Sequence, residues 1–188
     1  MAIFSRTTQT SSHVKIAFVG YAAVGKTSLI NLLLEKAPQL EYKPTIGLDF
    51  GQRLIKSILG EHELSLWDFG GQRNFWPAWN SYLLGTKLCV VVTDSTPTGV
   101  LRTRMIIDWL NTRDGNGGED NNTKEDNGGD DMKIIAIANK QDLEEAMNPE
   151  RVENVLHVTT YPMVAIDPQY REKLLQLIST EIKSMIEE

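Results

Sequence analysis

The chain has 188 residues, 41% hydrophobic and 23% charged, with 25 acidic against 19 basic side chains and a formal net charge of −6. These figures suit one average α/β domain with a sizeable core and exclude disordered, collagen-like and disulfide-rich classes. The acidic excess argues against a nucleic-acid binder, whose phosphate contacts need a basic surface, and the single cysteine, Cys89, permits neither an internal disulfide nor a multi-cysteine zinc site.

In chain order, Met1 to His13 reads as a flexible N-terminus ahead of a domain over residues 14–188. It is too short and polar for a secretory signal, and no apolar stretch reaches the roughly 20 residues of a membrane-spanning helix. A cytoplasmic protein, at most peripheral to a membrane, is expected. Val14 to Val19 is a buried strand, followed by a helix from Gly25 to Ala37 that stops before Pro38. Between them, Gly20-Tyr21-Ala22-Ala23-Val24-Gly25-Lys26-Thr27 fits G-x-x-x-x-G-K-[ST]. In that strand-loop-helix setting, backbone N–H groups from Gly20 to Ser28 wrap a β-phosphate, Lys26 neutralises β/γ oxygens and the Thr27 hydroxyl ligates Mg²⁺. Alone, the loop signals a nucleoside triphosphate without saying which.

Leu48 to Leu59 and His62 to Trp67 flank Gly60 as a hairpin, the one antiparallel pair expected. The second strand runs into Trp67-Asp68-Phe69-Gly70-Gly71-Gln72. Ligands bind at the C-terminal edge of doubly wound sheets, and Asp68 there can hold Mg²⁺ through a water. Trp76, Pro77 and Trp79 fit either an exposed partner patch, the reading preferred, or the packed start of a helix. Leu88 to Thr93 is a strand, and Val100, Leu101, Ile106, Ile107 and Leu110 mark a helix on the sheet.

Asp114 to Asp131 departs from this pattern, with seven acidic residues, five glycines, four asparagines, one lysine and no apolar side chain. It cannot bury enough surface to offset its ordering entropy, so a mobile surface loop, inserted into the domain, is expected. That loop accounts for the whole net charge and leaves the remainder formally neutral. Its spacing does not fit an EF-hand.

Met132 to Ala138 is a strand ending in Asn139-Lys140-Gln141-Asp142. The Asp142 carboxylate suits the paired N1–H and N2 donors of guanine, whereas adenine lacks the amine and would leave a buried carboxylate badly paired. Asn148 caps a short helix to Leu156 with Pro149 at its first position. Val164-Ala165-Ile166 ends the last strand. Leu174, Leu177, Ile178, Ile182 and Ile186 give the C-terminal helix its apolar face. His13, His62 and His157 lack ligand spacing and read as surface or satisfied residues.

GYAAVGKT, Pro44-Thr45-Ile46-Gly47, WDFGGQ and NKQD together resemble the Ras-like small GTPases from Val14 to the C-terminal helix. The WDxGGQ form and Ala138 to Leu143, with Ala146-Met147-Asn148, are most similar to the Arf/Sar branch. The resemblance implies the P-loop NTPase fold: a mostly parallel six-stranded sheet with one antiparallel strand and helices on both faces. It also implies GTP or GDP with Mg²⁺. Gly20, Ala22, Ala23, Val24, Gly25, Lys26, Thr27, Ser28 and Gly71 would hold the phosphates, and Thr27 and Thr45, with Asp68 through water, the metal. Asn139 and Asp142 would read guanine, Lys140 would pack along the base, and Ala165, whose N–H would meet O6, and Ile166 would complete the base pocket. Gln72 would orient the attacking water, with Lys26 and Thr45 completing the catalytic set.

By the same resemblance, hydrolysis releases Thr45 and Gly71, so the protein is a switch with an exchange factor, an activating protein and effectors reading residues 42–50 and 67–82, and it is monomeric. No arginine lies between Pro38 and Thr45, so slow intrinsic hydrolysis is expected. Trp67 and Tyr82 occupy two places of the Arf-like aromatic trio, and Leu48 stands at the third; all three also fit a plain core. Ala2 replaces the glycine that N-myristoylation needs, and Ile3 and Phe4 alone make a weak membrane helix. Thr45 to Trp67 is longer than usual for that branch, so its strand register shift is not assumed, and Val164-Ala165-Ile166 departs from the usual base-loop pattern. Rival readings are a constitutively GTP-bound scaffold and a P-loop nucleotide kinase, the latter disfavoured by NKQD and by the lack of an arginine-rich lid.

Overall fold

The computed structural model describes residues 12–37, 43–57, 60–113 and 132–187. Six strands form one sheet: β1 (Ser12–Val19), β2 (Leu48–Ser57), β3 (Gly60–Phe69), β4 (Leu88–Thr93), β5 (Lys133–Ala138) and β6 (Thr160–Pro162). Their spatial order is β2-β3-β1-β4-β5-β6, with β2 antiparallel to β3 and the remaining pairs parallel. Five helices, α1 (Lys26–Leu33), α2 (Trp76–Tyr82), α3 (Pro97–Arg113), α4 (Pro149–Leu156) and α5 (Tyr170–Glu187), cover it. The P-loop fold expected from the sequence is the fold observed.

Strand alternation divides the apolar residues between two cores. Ile16, Phe18, Leu64, Leu66, Val90, Val92, Ile135 and Ile137 point to one face and pack with Leu29 and Leu33 of α1 and Leu174, Ile178 and Ile182 of α5. Ala17, Val19, Phe69, Cys89, Val91, Ala136 and Ala138 point to the other, under Trp79 of α2, Ile106 and Leu110 of α3, and Val152 and Leu156 of α4. Every residue of β4 is buried, which is why that strand reads as a continuous apolar run.

The helix starts follow local chemistry. The Thr96 hydroxyl accepts from the Gly99 N–H at 3.0 Å and caps α3. Asn148 Oδ1 accepts from the Glu150 N–H at 2.9 Å, with Pro149 at the first turn of α4, as its sequence predicts.

Five boundaries differ from the sequence reading. β1 begins at Ser12, so Ser12 and His13 pair with β3 as part of the strand rather than belonging to the N-terminal segment expected to be flexible. α1 ends at Leu33 rather than Ala37, because Leu34 caps it and Glu35 turns to φ 58°. Gly60 is not between the strands but opens β3 and pairs with Ser57; residues 58–59 lie outside the described residues. β6 stops at Pro162, so Val164-Ala165-Ile166 is a loop after the strand. Arg73 to Tyr82 forms a 3-10 turn and α2. Trp79 there is 1% exposed and lies edge-on to Phe69 and Trp109 at 5.9 and 5.8 Å, so Trp79 is packed helix rather than part of an exposed patch, while Trp76 is half-buried and Pro77 exposed. The expected loop at 114–131 and the N-terminal segment to residue 11 lie outside the described residues.

Candidate functional site

β1 is flanked by β3 on one side and β4 on the other, so the loop leaving it sits at the crevice where strand order reverses, the ligand edge of such sheets. Two glycines make that loop possible. A Cβ at Gly20, φ 149°, would lie 2.4 Å from the Val92 carbonyl oxygen, and one at Gly25, φ 104°, would lie 2.2 Å from Asn139 Nδ2. Ala23 also takes a left-handed turn, φ 64°. The loop then feeds α1, whose free N-terminal N–H groups favour an anion.

A cavity of about 310 Å³ opens over this loop. Ala22, Ala23, Gly25, Lys26, Thr27 and Ser28 line one wall, Thr45, Gly71 and Gln72 the next, and Asn139, Lys140, Asp142, Ala165 and Ile166 the far end. Segments more than a hundred residues apart in the chain therefore meet in one pocket. Gly20, Val24 and Asp68 stand one layer behind the wall. Gly20 and Tyr21 carbonyls accept from Lys26 Nζ at 3.1 and 2.8 Å, and the Val24 carbonyl accepts from Asn139 Nδ2 at 2.8 Å. Lys43, Pro44 and Leu143 also line the cavity. They lie within two residues of Thr45 and Asp142, so adjacency to the motifs was the available signal.

The electrostatics of the phosphate end are those of a site waiting for charge. Lys26 is 5% exposed; burial pulls its ammonium down to about 8, with the Asp68 carboxylate partly opposing the shift. Asp68 is 2% exposed, and desolvation pushes its carboxyl above the ordinary range against hydrogen bonds from Thr27 and Thr45 and the charge of Lys26. Thr27 Oγ1 donates to Asp68 Oδ2, the Thr45 hydroxyl donates to the same oxygen at 3.2 Å, and the two hydroxyls are 3.1 Å apart. Asp68 Oδ1 is buried with no hydrogen-bond partner. Two hydroxyls around a buried carboxylate with an orphaned oxygen fit a hard divalent cation that takes its remaining ligands from phosphate and water, as Mg²⁺ does. Among the described residues no group of three or more His, Cys, Asp and Glu offers another metal site.

Gly71 closes the phosphate loop. A Cβ there would lie 2.4 Å from the Ala22 amide nitrogen, so only glycine permits the approach. The Gly70 N–H donates to the Gly47 carbonyl at 2.7 Å and links this segment to the one bearing Thr45.

At the far end, Lys140 adopts φ 59°, which turns the chain out of β5. Gln141 Nε2 donates to Ser95 Oγ at 2.8 Å and to the Met147 carbonyl at 3.2 Å, so the side chain between the motif's Lys and Asp fixes the turn. Asn139 joins two loops: Nδ2 donates to the Val24 carbonyl, and Oδ1 accepts from the Ala165 N–H at 2.9 Å. The Ala165 N–H, expected to face the base oxygen, is directed inward to Asn139 instead.

Beside the site, Phe50 is 59% exposed and packs 6.1 Å from Trp67. Leu48 is half-buried and pairs with Phe69. Phe50 lies two residues after Leu48 on the same face of β2. His13 meets Ser65 Oγ through Nε2 at 2.7 Å and lies away from the cavity.

The model of the ADP-ribosylation factor family matches residues 1–185. Among curated relatives, ADP-ribosylation factor-like protein 5 of Caenorhabditis elegans is 31% identical over 146 residues, 78% of this chain and 72% of that protein. The protein of the same name from Dictyostelium discoideum is 31% identical over 150 residues, 78% of this chain and 70% of that protein. Ras-related protein Rab-32C of Dictyostelium discoideum is 38% identical over 86 residues, 46% of this chain and 38% of that protein.

Proposed function

The chain belongs to the ADP-ribosylation factor family of small GTPases, and on that premise we propose that it is a molecular switch. It binds GTP and GDP with Mg²⁺, hydrolyses GTP slowly unless an activating protein supplies an arginine, and recruits effectors in the GTP form. The observation that carries the reading is the convergence of the phosphate loop, Gly71-Gln72 and the Asn139-to-Asp142 motif on one cavity. A triphosphate at α1 and a base at the far end would span it.

The chemistry follows from that placement. A water oxygen bonds to the γ-phosphorus, the bond to the β,γ-bridging oxygen breaks, and the water's proton ends on the released phosphate. Gln72, exposed at the cavity wall, orients the water. Lys26 and the loop amides neutralise charge on the transferring group. Bound Mg²⁺, held by Thr27, Thr45 and, through water, Asp68, adds charge neutralisation of the phosphate oxygens. Asp142 accepts from guanine N1–H and N2, Lys140 packs along the base, and Ala165 and Ile166 close the pocket. Asn139 retains one Nδ2 hydrogen for the base beside its bond to Val24.

Loss of the γ-phosphate releases Thr45 and Gly71, and the Gly47–Gly70 bond couples the two segments. Exchange factor, activating protein and effectors read residues 42–50 and 67–82, with Phe50 taking the third aromatic place. The protein acts as a cytoplasmic monomer, at most peripheral to a membrane, without nucleic acid, and residues 114–131 are dispensable for nucleotide binding. Among the described residues no helix is long and apolar enough to cross a membrane.

Affinities for GTP, GDP and ATP in Mg²⁺, followed by single-turnover hydrolysis with and without Gln72→Leu, test the reading. Preference for both guanine nucleotides over ATP by about 100-fold or more is expected from two hydrogen bonds to a charged acceptor. Slow cleavage that Gln72→Leu slows further is expected too. Equal affinity for ATP, or a rate indifferent to Gln72→Leu, would overturn it.

A further inference from the structure

A second cavity, of about 420 Å³, adjoins the first and is lined by Tyr21, Ala22, Gly71, Gln72, Arg73 and Arg102. Ala22, Gly71 and Gln72 line both, so the wall between them is the phosphate loop and the Gly71-Gln72 pair. Two arginines line the second cavity, both exposed: Arg73 from the 3-10 turn before α2 and Arg102 from α3. Among the described residues no carboxylate lines it. Among the described residues neither arginine makes an ion pair, whereas Arg53, Arg104 and Arg171 all do.

Arg73 is pre-positioned. It donates to the Tyr21 hydroxyl at 3.5 Å and lies 5.9 Å over the Trp76 ring, which in turn meets Tyr21 edge-on at 5.3 Å. Because Tyr21 accepts from Arg73, its own O–H remains able to donate. Two cations lining one cavity, with no carboxylate among its described lining residues, favour an oxyanion, which both can meet with charge-assisted hydrogen bonds. Planar guanidinium forks suit a tetrahedral oxyanion in particular.

The geometry points to a subsite for inorganic phosphate, the oxyanion that GTP hydrolysis produces at the shared wall. The inference rests on the hydrolase reading above. Once the water oxygen has bonded to phosphorus and the bridging bond has broken, the free phosphate passes Gly71-Gln72 and is met by Arg73, Arg102 and the Tyr21 hydroxyl.

Inorganic phosphate titrated into the full chain, loaded with GDP and separately with a non-hydrolysable GTP analogue, tests this by phosphorus NMR line broadening. Binding to both forms is expected, since the analogue fills the γ-position and leaves the second cavity open. Arg102→Gln and Arg73→Gln should each weaken binding about tenfold or more, while Arg104→Gln, whose guanidinium is tied to Asp108 and the Val155 carbonyl, should leave it unchanged. Binding confined to the GDP form and indifferent to Arg102→Gln would mean that phosphate returns to the γ-position, and the subsite would be refuted. Equal weakening by Arg104→Gln would reduce it to diffuse charge. GTP cleavage on the same preparation separates the readings. Cleavage without Arg102-dependent binding removes the subsite alone, and binding without cleavage removes the hydrolase reading together with the product assignment.

Discussion

The buried ammonium of Lys26 makes nucleotide affinity depend on pH in a calculable way. Burial pulls Lys26 down to about 8 from an ordinary 10.5, so about one tenth of the chain carries a neutral Lys26 at pH 7 and about nine tenths at pH 9. Nucleotide phosphates favour the ammonium and return its pKa toward the ordinary value. Affinity for GDP should therefore be nearly flat below pH 7 and fall about tenfold between pH 7 and pH 9, or about 1.4 kcal/mol. Stability in the absence of nucleotide has the opposite slope. The unfolded chain binds the proton more tightly than the folded one, so Lys26 makes folding more favourable as pH rises from about 8 to 10.5. Titration calorimetry at pH 8, in two buffers of different ionisation enthalpy, should register uptake of about half a proton per nucleotide. Lys26→Met should bind more weakly, take up no proton and show neither slope. Guanine N1–H titrates at still higher pH, which is why the window closes at 9. A wild-type profile flat from 7 to 9 without proton uptake, or the same slope in Lys26→Met, would refute the assignment of a desolvated Lys26 to the phosphates.

Asp68→Asn removes a buried charge whose desolvation raises its pKa. Wild type should gain stability over the variant as pH falls through the carboxylate range and lose that advantage at neutral pH, where thermal unfolding of the nucleotide-free chains should favour Asp68→Asn. The variant's GDP affinity should become indifferent to Mg²⁺ or EDTA; retained Mg²⁺ dependence would remove Asp68 from the metal site. Asn139→Ala leaves the Val24 carbonyl and the Ala165 N–H unpaired, an expected loss of about 2–5 kcal/mol in urea unfolding, and a loss under 0.5 kcal/mol would show that other groups hold the loops together. Trp79→Ala empties a site flanked by Phe69 and Trp109 and should cost about 3–5 kcal/mol, against much less for the half-buried Trp76→Ala; equal losses would contradict the packing of α2.

Legibility in the sequence followed the range of the interaction that decides each feature. β4 and the α4 cap were readable because burial on both faces and an Asn-Pro start are written in a few consecutive residues. The motifs predicted which residues meet, since strand, loop and helix order place them at one sheet edge. Features set across the chain were not readable. Trp79 is core because Phe69 and Trp109, from two other elements, close on it. Asn139 reaches the phosphate loop because Gly25 has no Cβ to collide with its amide, and its Oδ1 holds the Ala165 N–H inward. Arg102 illustrates the same limit at the surface. Nothing local distinguishes it from Arg104 two residues later, yet the 3.6-residue repeat directs Arg104 toward Asp108 and α4 and Arg102 toward Gln72. The cations that this chain brings beside Gly71-Gln72 arrive from α3 and from the turn before α2, on the side by which phosphate would leave.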